Sequence, residues 1–354
     1  MELTIERATE LQTKPNWNDL TFGTTFTDHM FVMDYEVGKG WYDARIMPYQ
    51  DLPLSPAAVV LHYGQTVFEG LKAYKDDAGE IFLFRPDENM KRMNDSCERL
   101  CMPTFDGQFV IEAMKQLIEI EKDWVPEVEG MALYIRPVMY ATEAHLGVSP
   151  SKNYRFIVLL SPVGSYYAEG INPVKIAVES QFVRAVKGGT GAAKTAGNYA
   201  AALKAQEVAE KEGYSQVLWL DGREQKYIEE VGAMNVFFKI DGKIVTPELN
   251  GSILPGITRK SVLQLLRHWG MDVEERRLSI DELLEAAKNG TLEEAFGTGT
   301  AAVISPIGEL FYKGEKTVIN NNEIGPVAKK IYDTITGIQS GDVEDPFGWR
   351  VQVI

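Results

Sequence analysis

Lys194 lies in GGTGAAKTAGNYAAAL (residues 188–203), where three glycines and two alanines precede it and Asn198-Tyr199 follow. Small neighbours clear space around an amine, as a lysine bonded to a bulky planar group requires. Such an amine condenses with a carbonyl only as the free base, so its pKa must be depressed. The phenol of Tyr199, five residues on, could hydrogen-bond the same group. The segment also nearly spells the nucleotide phosphate loop G-x-x-x-x-G-K-[ST], with Ala193 in place of the second glycine. The strand-like QVLWLD (216–221) would then carry a magnesium-binding aspartate. Asp221, however, is followed by Gly222 and by KYIEEV, which reads as a hairpin and not as a helix.

Four further segments carry chemistry-bearing residues. LPGITRKSV (254–262) puts Gly256 before a helix and leaves the amides of Ile257 and Thr258 free for an anion. IEEVGAMN (228–235) places Glu229 and Glu230 in a strand, where alternation sends them to opposite faces and one of them inward. A buried carboxylate there needs a partner such as a protonated pyridine nitrogen. LYIRP (133–137) sets Tyr134 and Arg136 on one face, a phenol and a guanidinium fork suited to a carboxylate. GTGTAA (297–302) fits a dinucleotide fingerprint, but Pro306 and Gly308 behind it cannot open a helix, which leaves a turn or an anion nest. Together these residues describe an enzyme holding pyridoxal phosphate and an amino acid, with no metal: the four histidines are scattered.

The elements that must position them alternate along a chain of 354 residues, long enough for two domains. Strands are expected at 26–36 and 41–49, then a hairpin from TVFEGLKAYKD to EIFLFRP. DENMKRMNDSCERL is helical, with Met90, Met93, Cys97 and Leu100 on one face and Asp87 as its cap. FVIEAMKQLIEIEKDW is a second amphipathic helix. Cys97 and Cys101, four apart, read as buried helix neighbours in a reducing compartment. The second half is a β-meander punctuated by helices at 199–212, 257–269, 280–288 and 323–337, the third opened by the capping box Ser279-x-x-Glu282. The fold class is α+β: a small N-terminal domain (1–164), an interdomain linker rich in proline and glycine (165–173) and a large C-terminal domain (174–354). A net charge of −15 argues against nucleic-acid binding, and without a signal core or an apolar run of about 20 residues a cytoplasmic location is expected.

The whole chain resembles the branched-chain amino-acid aminotransferases, pyridoxal-phosphate enzymes of fold type IV. The matching segments are FGTTFTDHM, LHYGQTVFEGLKAY, LFRPDENMKRM, LYIRPV, GGTGAAKTAGNYAAAL, KYIEEVGAMNVFF, ILPGITR and FGTGTAAVISPIGEL, in the family's order from residue 22 to 310, with FGWRVQV closing the chain. The resemblance implies two α/β domains, the second a pseudo-barrel. It makes Lys194 the Schiff-base lysine and proton shuttle, with Tyr199 on the phenolate oxygen and Glu230 on the pyridine nitrogen of the cofactor. Arg85, Ile257, Thr258, Gly299 and Thr300 would hold the phosphate. Tyr63, Tyr134 and Arg136 would surround the substrate, with Phe22, Phe68 and Tyr166 as apolar wall, and the backbone at Thr300-Ala301 would receive its α-carboxylate.

The implied reaction is amino transfer from L-leucine, L-isoleucine or L-valine to 2-oxoglutarate, giving branched-chain 2-oxo acids and L-glutamate, in a cytoplasmic homodimer without nucleic-acid or membrane partners. Within the same fold the alternatives are a D-amino-acid aminotransferase or an aminodeoxychorismate lyase; outside it, a phosphate-loop nucleotide hydrolase. Three positions depart from the family: Ala196 for a glycine after the lysine, Ala233 for a hydroxyl residue, and Ala302 with Ser305 where mammalian relatives carry a redox-active cysteine pair.

Overall fold

The computed structural model describes residues 1–164 and 171–354. By its contacts the chain divides into two compact units. The first comprises Met1–Tyr166, Ala193–Ala196 and Gly337–Ile354; the second comprises Tyr167–Ala192 and Gly197–Thr336. The sequence-based boundaries at 1–164, 165–173 and 174–354 differ from this division in two places. Lys194 and its neighbours cluster with the first unit, and so does the chain's last segment. Of the expected linker, residues 165–170, Tyr166 among them, lie outside the described residues.

The first unit is built on one mixed sheet from β1 (Leu3–Ile5), β2 (His29–Glu36), β3 (Gly40–Pro48), β4 (Thr66–Phe68), β5 (Leu71–Lys75), β6 (Ile81–Phe84), β7 (Ala132–Ala141) and β8 (Asn153–Val163). The long β7–β8 and β2–β8 pairs are antiparallel and form its centre. The expected hairpin arm TVFEGLKAYKD is two strands, not one. β4 and β5 face β7 in a single register, but Glu69 N donates to Pro137 O at 2.8 Å and proline has no N–H to return. The ladder therefore lapses at Glu69-Gly70, and this gap releases Glu69 into the interior.

One sheet face is covered by α2 (Pro86–Arg99) and α3 (Gly107–Ile120), which follow α1 (Val59–Tyr63). Met90, Met93 and Cys97 of α2 and Val110, Met114 and Leu117 of α3 pack on Leu71, Ala73, Leu133 and Ile135. Fully burying one such side chain contributes about 1.5–3 kcal/mol. α2 starts earlier than expected, with Pro86 as its first residue and Asp87 inside the first turn; the cap position belongs to Arg85, in the left-handed region at φ 51°. Cys101 is past the end of α2 and exposed, so only Cys97 is the buried helical thiol of that expectation.

The second unit holds α4 (Ala196–Lys211), α5 (Ile257–His268), α6 (Ile280–Lys288) and α7 (Pro326–Ser340), the last reaching into the first unit's terminal segment. Its sheet comprises β9 (Val174–Val178), β10 (Gln216–Leu220), β11 (Ile228–Val231), β12 (Asn235–Ile240), β13 (Lys243–Thr246), β14 (Val273–Glu275), β15 (Leu292–Gly299), β16 (Val303–Tyr312) and β17 (Glu315–Val318). Leu283 and Ala286 of α6 pack on Val236, Phe238 and Ala295, and Ser279 caps α6 by accepting from Glu282 N at 3.1 Å. The final strand, β18 (Arg350–Gln352), pairs with β6 and so completes the first sheet.

Candidate active site

In the first unit, Lys194 is clamped through its backbone. Its N–H donates to Ser96 Oγ on α2 at 2.9 Å, its carbonyl accepts from Phe68 N at 3.1 Å, and Thr195 Oγ1 donates to Thr66 O at 2.7 Å. The amine is thereby held over the Phe68 ring, 4.9 Å from its centroid. The same ring lies 4.9 Å from the Arg136 guanidinium, so one aromatic face relates Lys194 to Arg136. Arg136 donates to Tyr134 Oη at 2.9 Å, and Phe22 packs edge-on against Tyr134 at 4.9 Å. A Cβ on Gly70 would collide with that hydroxyl, which is why the Tyr134 phenol can lie across the Glu69-Gly70 gap.

Burial pulls the Lys194 pKa down to about 8, helped by the Arg92 charge and partly opposed by Glu69. An amine so tuned supplies free base near neutral pH, as imine chemistry and proton shuttling require. Two charged neighbours escaped the sequence reading. Glu69, wholly buried, accepts from Arg92 through both oxygens at 2.7 and 2.8 Å and from Asn89 at 2.8 Å. Burial alone would raise the Glu69 pKa, but the Arg92 charge and hydrogen bonds hold it below the usual carboxylate value. Lys72 stands directly opposite Tyr134 on β5, and residues so paired share a sheet face. Burial lowers its pKa to about 8. Its register against Tyr134 was not visible in the sequence.

Tyr63 and Arg85, also expected at the site, belong to this unit too. Tyr63, half exposed, gives its hydroxyl to the Leu146 carbonyl. Arg85 is buried and stacks on Trp349, 5.1 Å from the ring, with Glu88 at 3.4 Å.

The second unit gathers the remaining polar groups. Glu229 and Glu230 are both buried, so the expectation that only one points inward is corrected: β11 is covered on both faces. Glu230 Oε1 accepts from Leu254 N at 2.7 Å and pairs with Arg184 at 3.1 Å. Glu229 bonds the Ser252 hydroxyl and Asn250. Ile257 and Thr258 open α5 with no side-chain cap, and Gly256 before them is obligatory because a Cβ would collide with Asn235 Oδ1. Gly299, Thr300 and Ala301 form the tight turn between the antiparallel β15 and β16, not a strand-to-helix crossing. Tyr199 lies in the opening turn of α4. Asp221, the residue that could have held magnesium, instead accepts from the backbone amides of Arg223, Glu224, Lys226 and Tyr227. It shapes the β10–β11 hairpin and has no nucleotide role.

The chain belongs to the family described as amino-transferase class IV, whose pattern matches residues 66–310. It is 64% identical over 349 residues to branched-chain-amino-acid aminotransferase 2 of Bacillus subtilis, covering 99% of this chain and 96% of that protein. A branched-chain-amino-acid aminotransferase of Mycobacterium tuberculosis is 46% identical over 354 residues, 99% of this chain and 96% of that protein. Among solved structures, the Escherichia coli branched-chain amino acid aminotransferase superposes with a TM-score of 0.77 at 29% identity, over 92% of this chain and 99% of that one. A T.th. branched-chain amino acid aminotransferase complexed with N-(5'-phosphopyridoxyl)-L-glutamate gives 0.73 at 27% identity, over 91% and 98%.

Proposed function

We infer that this chain is a branched-chain-amino-acid transaminase that uses pyridoxal 5'-phosphate to move the amino group of L-leucine, L-isoleucine or L-valine to 2-oxoglutarate. The observation that carries this is Lys194, with a pKa near 8, on the same aromatic ring as an Arg136–Tyr134 pair, in a chain 64% identical to such an enzyme. The residues present fit the cofactor. Lys194 is the amine to bond it, buried Glu230 is the carboxylate for its ring nitrogen, and Tyr199 is the phenol for its ring oxygen. Arg85, the amides of Ile257 and Thr258 at a bare helix start, and the Gly299-Thr300 turn are the phosphate donors.

When bound, the cofactor supplies the carbonyl that takes the amino group and the electron sink that acidifies the α-carbon. Lys194 Nζ would be the base that takes up and gives back the substrate's α-proton, work that one positioned base can perform. Glu230, paired with Arg184 at 3.1 Å, would be the carboxylate that meets the cofactor's ring nitrogen. Phe22 and Phe68 give the apolar side chain a wall. Tyr134, Arg136, Tyr63 and Ala301 give carboxylates their donors, so one site accepts both leucine and glutamate.

The functional form is proposed to be a homodimer. Leu61, Leu146 and Val148 are exposed at 60%, 62% and 85% around the Tyr63–Leu146 contact, an apolar patch of the kind that marks an interface. A cytoplasmic location is proposed on the unpaired thiols Cys97 and Cys101. Among the described residues no helix is long and apolar enough to cross a membrane.

The test is a turnover panel of L- and D-amino acids with 2-oxoglutarate, beside a visible absorbance scan of the purified protein. Rapid turnover of L-leucine, L-isoleucine and L-valine with a cofactor band is expected. Preference for D-alanine, or a protein that takes up no cofactor, overturns the reading.

A further inference from the structure

An irregular loop keeps a half-exposed aromatic residue in place only if the loop is tied at its base, because every untied residue regains backbone freedom. Residues 12–28 form such a loop ahead of β2, with the 3-10 turn Trp17–Asp19 as its regular structure. Loops of this length are uncommon in compact domains and mostly carry a function. Phe22 stands on it, 51% exposed, its ring edge-on to Tyr134 at 4.9 Å.

The base of the loop is closed by one buried carboxylate. Asp28 Oδ1 accepts from Gln12 N at 2.7 Å, and Asp28 Oδ2 accepts from Trp124 Nε1 at 2.8 Å. Bonds to a charged acceptor are the stronger kind, so both ends of the loop are held firmly. Gln12 adds a longer bond from its Nε2 to Thr27 O at 3.5 Å. Trp124 is buried in the 3-10 turn that follows α3, and the Lys14 amine lies over its ring at 5.5 Å. The start and the end of the loop therefore meet on one indole. Beside this clasp, His29 Nε2 accepts from Ala8 N at 2.8 Å and so extends the tie one step upstream.

Resting on the transaminase reading, which makes Phe22 part of the wall for branched side chains, we propose that Asp28 is a positioning residue for that wall. It clasps the 12–28 loop at its base, so that Phe22 stays on Tyr134 and the site keeps its grip on apolar substrates. Asp28 acts on the site through the loop, whereas Arg136 and Tyr134 belong to β7 and are held by the sheet. Loss of the clasp must then weaken apolar ligands and spare dicarboxylic ones.

The test measures binding to the holoenzyme by calorimetry, with thermal melting as the folding control. The probes are 4-methylvalerate, which has the carbon skeleton of leucine, and glutarate, which has that of glutamate. Asp28→Ala should weaken 4-methylvalerate about tenfold, the scale of a lost apolar contact in a pocket, and leave glutarate within about twofold. Phe22→Ala should show the same split. The double variant should bind 4-methylvalerate within about twofold of Phe22→Ala alone, because both changes remove one wall. Hydrogen exchange separates cause from effect: the Gln12 amide should lose protection in Asp28→Ala and keep it in Phe22→Ala. Should Asp28→Ala fail to fold, Asp28→Asn decides by the same split, since an amide oxygen can accept from Gln12 or Trp124 but its nitrogen cannot. Equal weakening of both probes, unchanged 4-methylvalerate binding, or losses that add in the double variant would overturn the proposal. Wild-type turnover of L-leucine with 2-oxoglutarate keeps the levels apart. Turnover without the split removes only the role of Asp28, whereas no turnover removes the transaminase reading and this proposal with it.

Discussion

Each unit buries one glutamate against one arginine, and the two pairs are built differently. Glu69 is saturated: a two-point Arg92 fork, an asparagine and a backbone amide, all side-chain donors from one helix. Glu230 meets Arg184 through one nitrogen at 3.1 Å, and that nitrogen also donates to the carbonyls of Gly191 and Ser252. A guanidinium Nη has two hydrogens, so three acceptors must share them. Arg184 Nε has no partner among the described residues. Bidentate arginine–carboxylate pairs are the stronger kind, and a fully engaged one has little left to offer a third group. The difference separates two uses of a buried carboxylate. One is held by a fork of its own; the other shares its arginine nitrogen with two carbonyls.

The largest effect is expected on removing the lysine over the Phe68 ring. Lys194→Ala should lower turnover at least about a thousandfold with the fold retained, since no other described amine stands on Phe68 with Arg136. Melting curves and single-turnover assays check it, and persistent borohydride-fixed cofactor would refute it. Glu230→Gln comes next, at about ten- to a hundredfold in turnover, the cost of one charge-assisted hydrogen bond. Cofactor affinity should fall far less, because the phosphate donors are untouched. An equal loss of both would mean that Glu230 is as closed as Glu69. Arg136→Leu should cost about ten- to a hundredfold in kcat/KM for glutamate and 2-oxoglutarate, and much less for leucine. Equal losses across substrates would make Arg136 a structural partner of Tyr134 only.

What the sequence revealed follows from the range of the forces involved. The lysine in its glycine-rich segment, the Ser279 cap and the Asp221-Gly222 turn are local chemistry, and the structure keeps them where the spacing put them. The same alternation that put Tyr134 and Arg136 on one face failed for Glu229 and Glu230, because β11 is covered on both sides. Glu69–Arg92 and Lys72–Tyr134 were invisible for another reason. Each depends on which strand or helix comes alongside, and periodicity carries no register. Asp28 and His29, inside the FGTTFTDHM segment, are buried. They accept from the backbone of Gln12 at 2.7 Å and Ala8 at 2.8 Å, and their second atoms meet Trp124 at 2.8 Å and Glu121 at 2.5 Å. Such ties anchor the N-terminal stretch to the sheet.

Asp221 is a third carboxylate against which the first two can be judged, since backbone amides alone satisfy it. Burial raises its pKa, but the amides of Tyr227, Glu224, Lys226 and Arg223 outweigh that and leave it lowered. A lowered folded-state pKa means stability that is present at neutral pH and lost as pH falls below the unfolded carboxyl value. Asp221→Asn should therefore cost about 1–2 kcal/mol near pH 7, with the gap to wild type closing as acid is added and turnover per folded molecule unchanged. Urea melts across pH test it; a gap that widens in acid would contradict the assignment.

The smallest effect is expected at the thiols, where the two units again differ from what local pattern suggested. Cys97 is packed among Met90 and Met93, and burial pushes its pKa far up, so it holds almost no thiolate. Cys101 lies beyond the helix end, exposed and in the left-handed region at φ 55°. In the second unit, Ala302 lies in the β15–β16 turn and Ser305 in β16, and neither carries sulfur. Oxidation thus has one accessible thiol to act on and none at the turn assigned to cofactor and substrate. Iodoacetamide should label Cys101 and spare Cys97, and mild peroxide should leave turnover within about twofold, the range of an ordinary surface change. Both are read by peptide mass spectrometry beside the activity assay. Rapid inactivation reversed by dithiothreitol, and absent in a Cys97→Ser, Cys101→Ser double variant, would show that α2 couples its thiols to Lys194 through Ser96 and Arg92 after all.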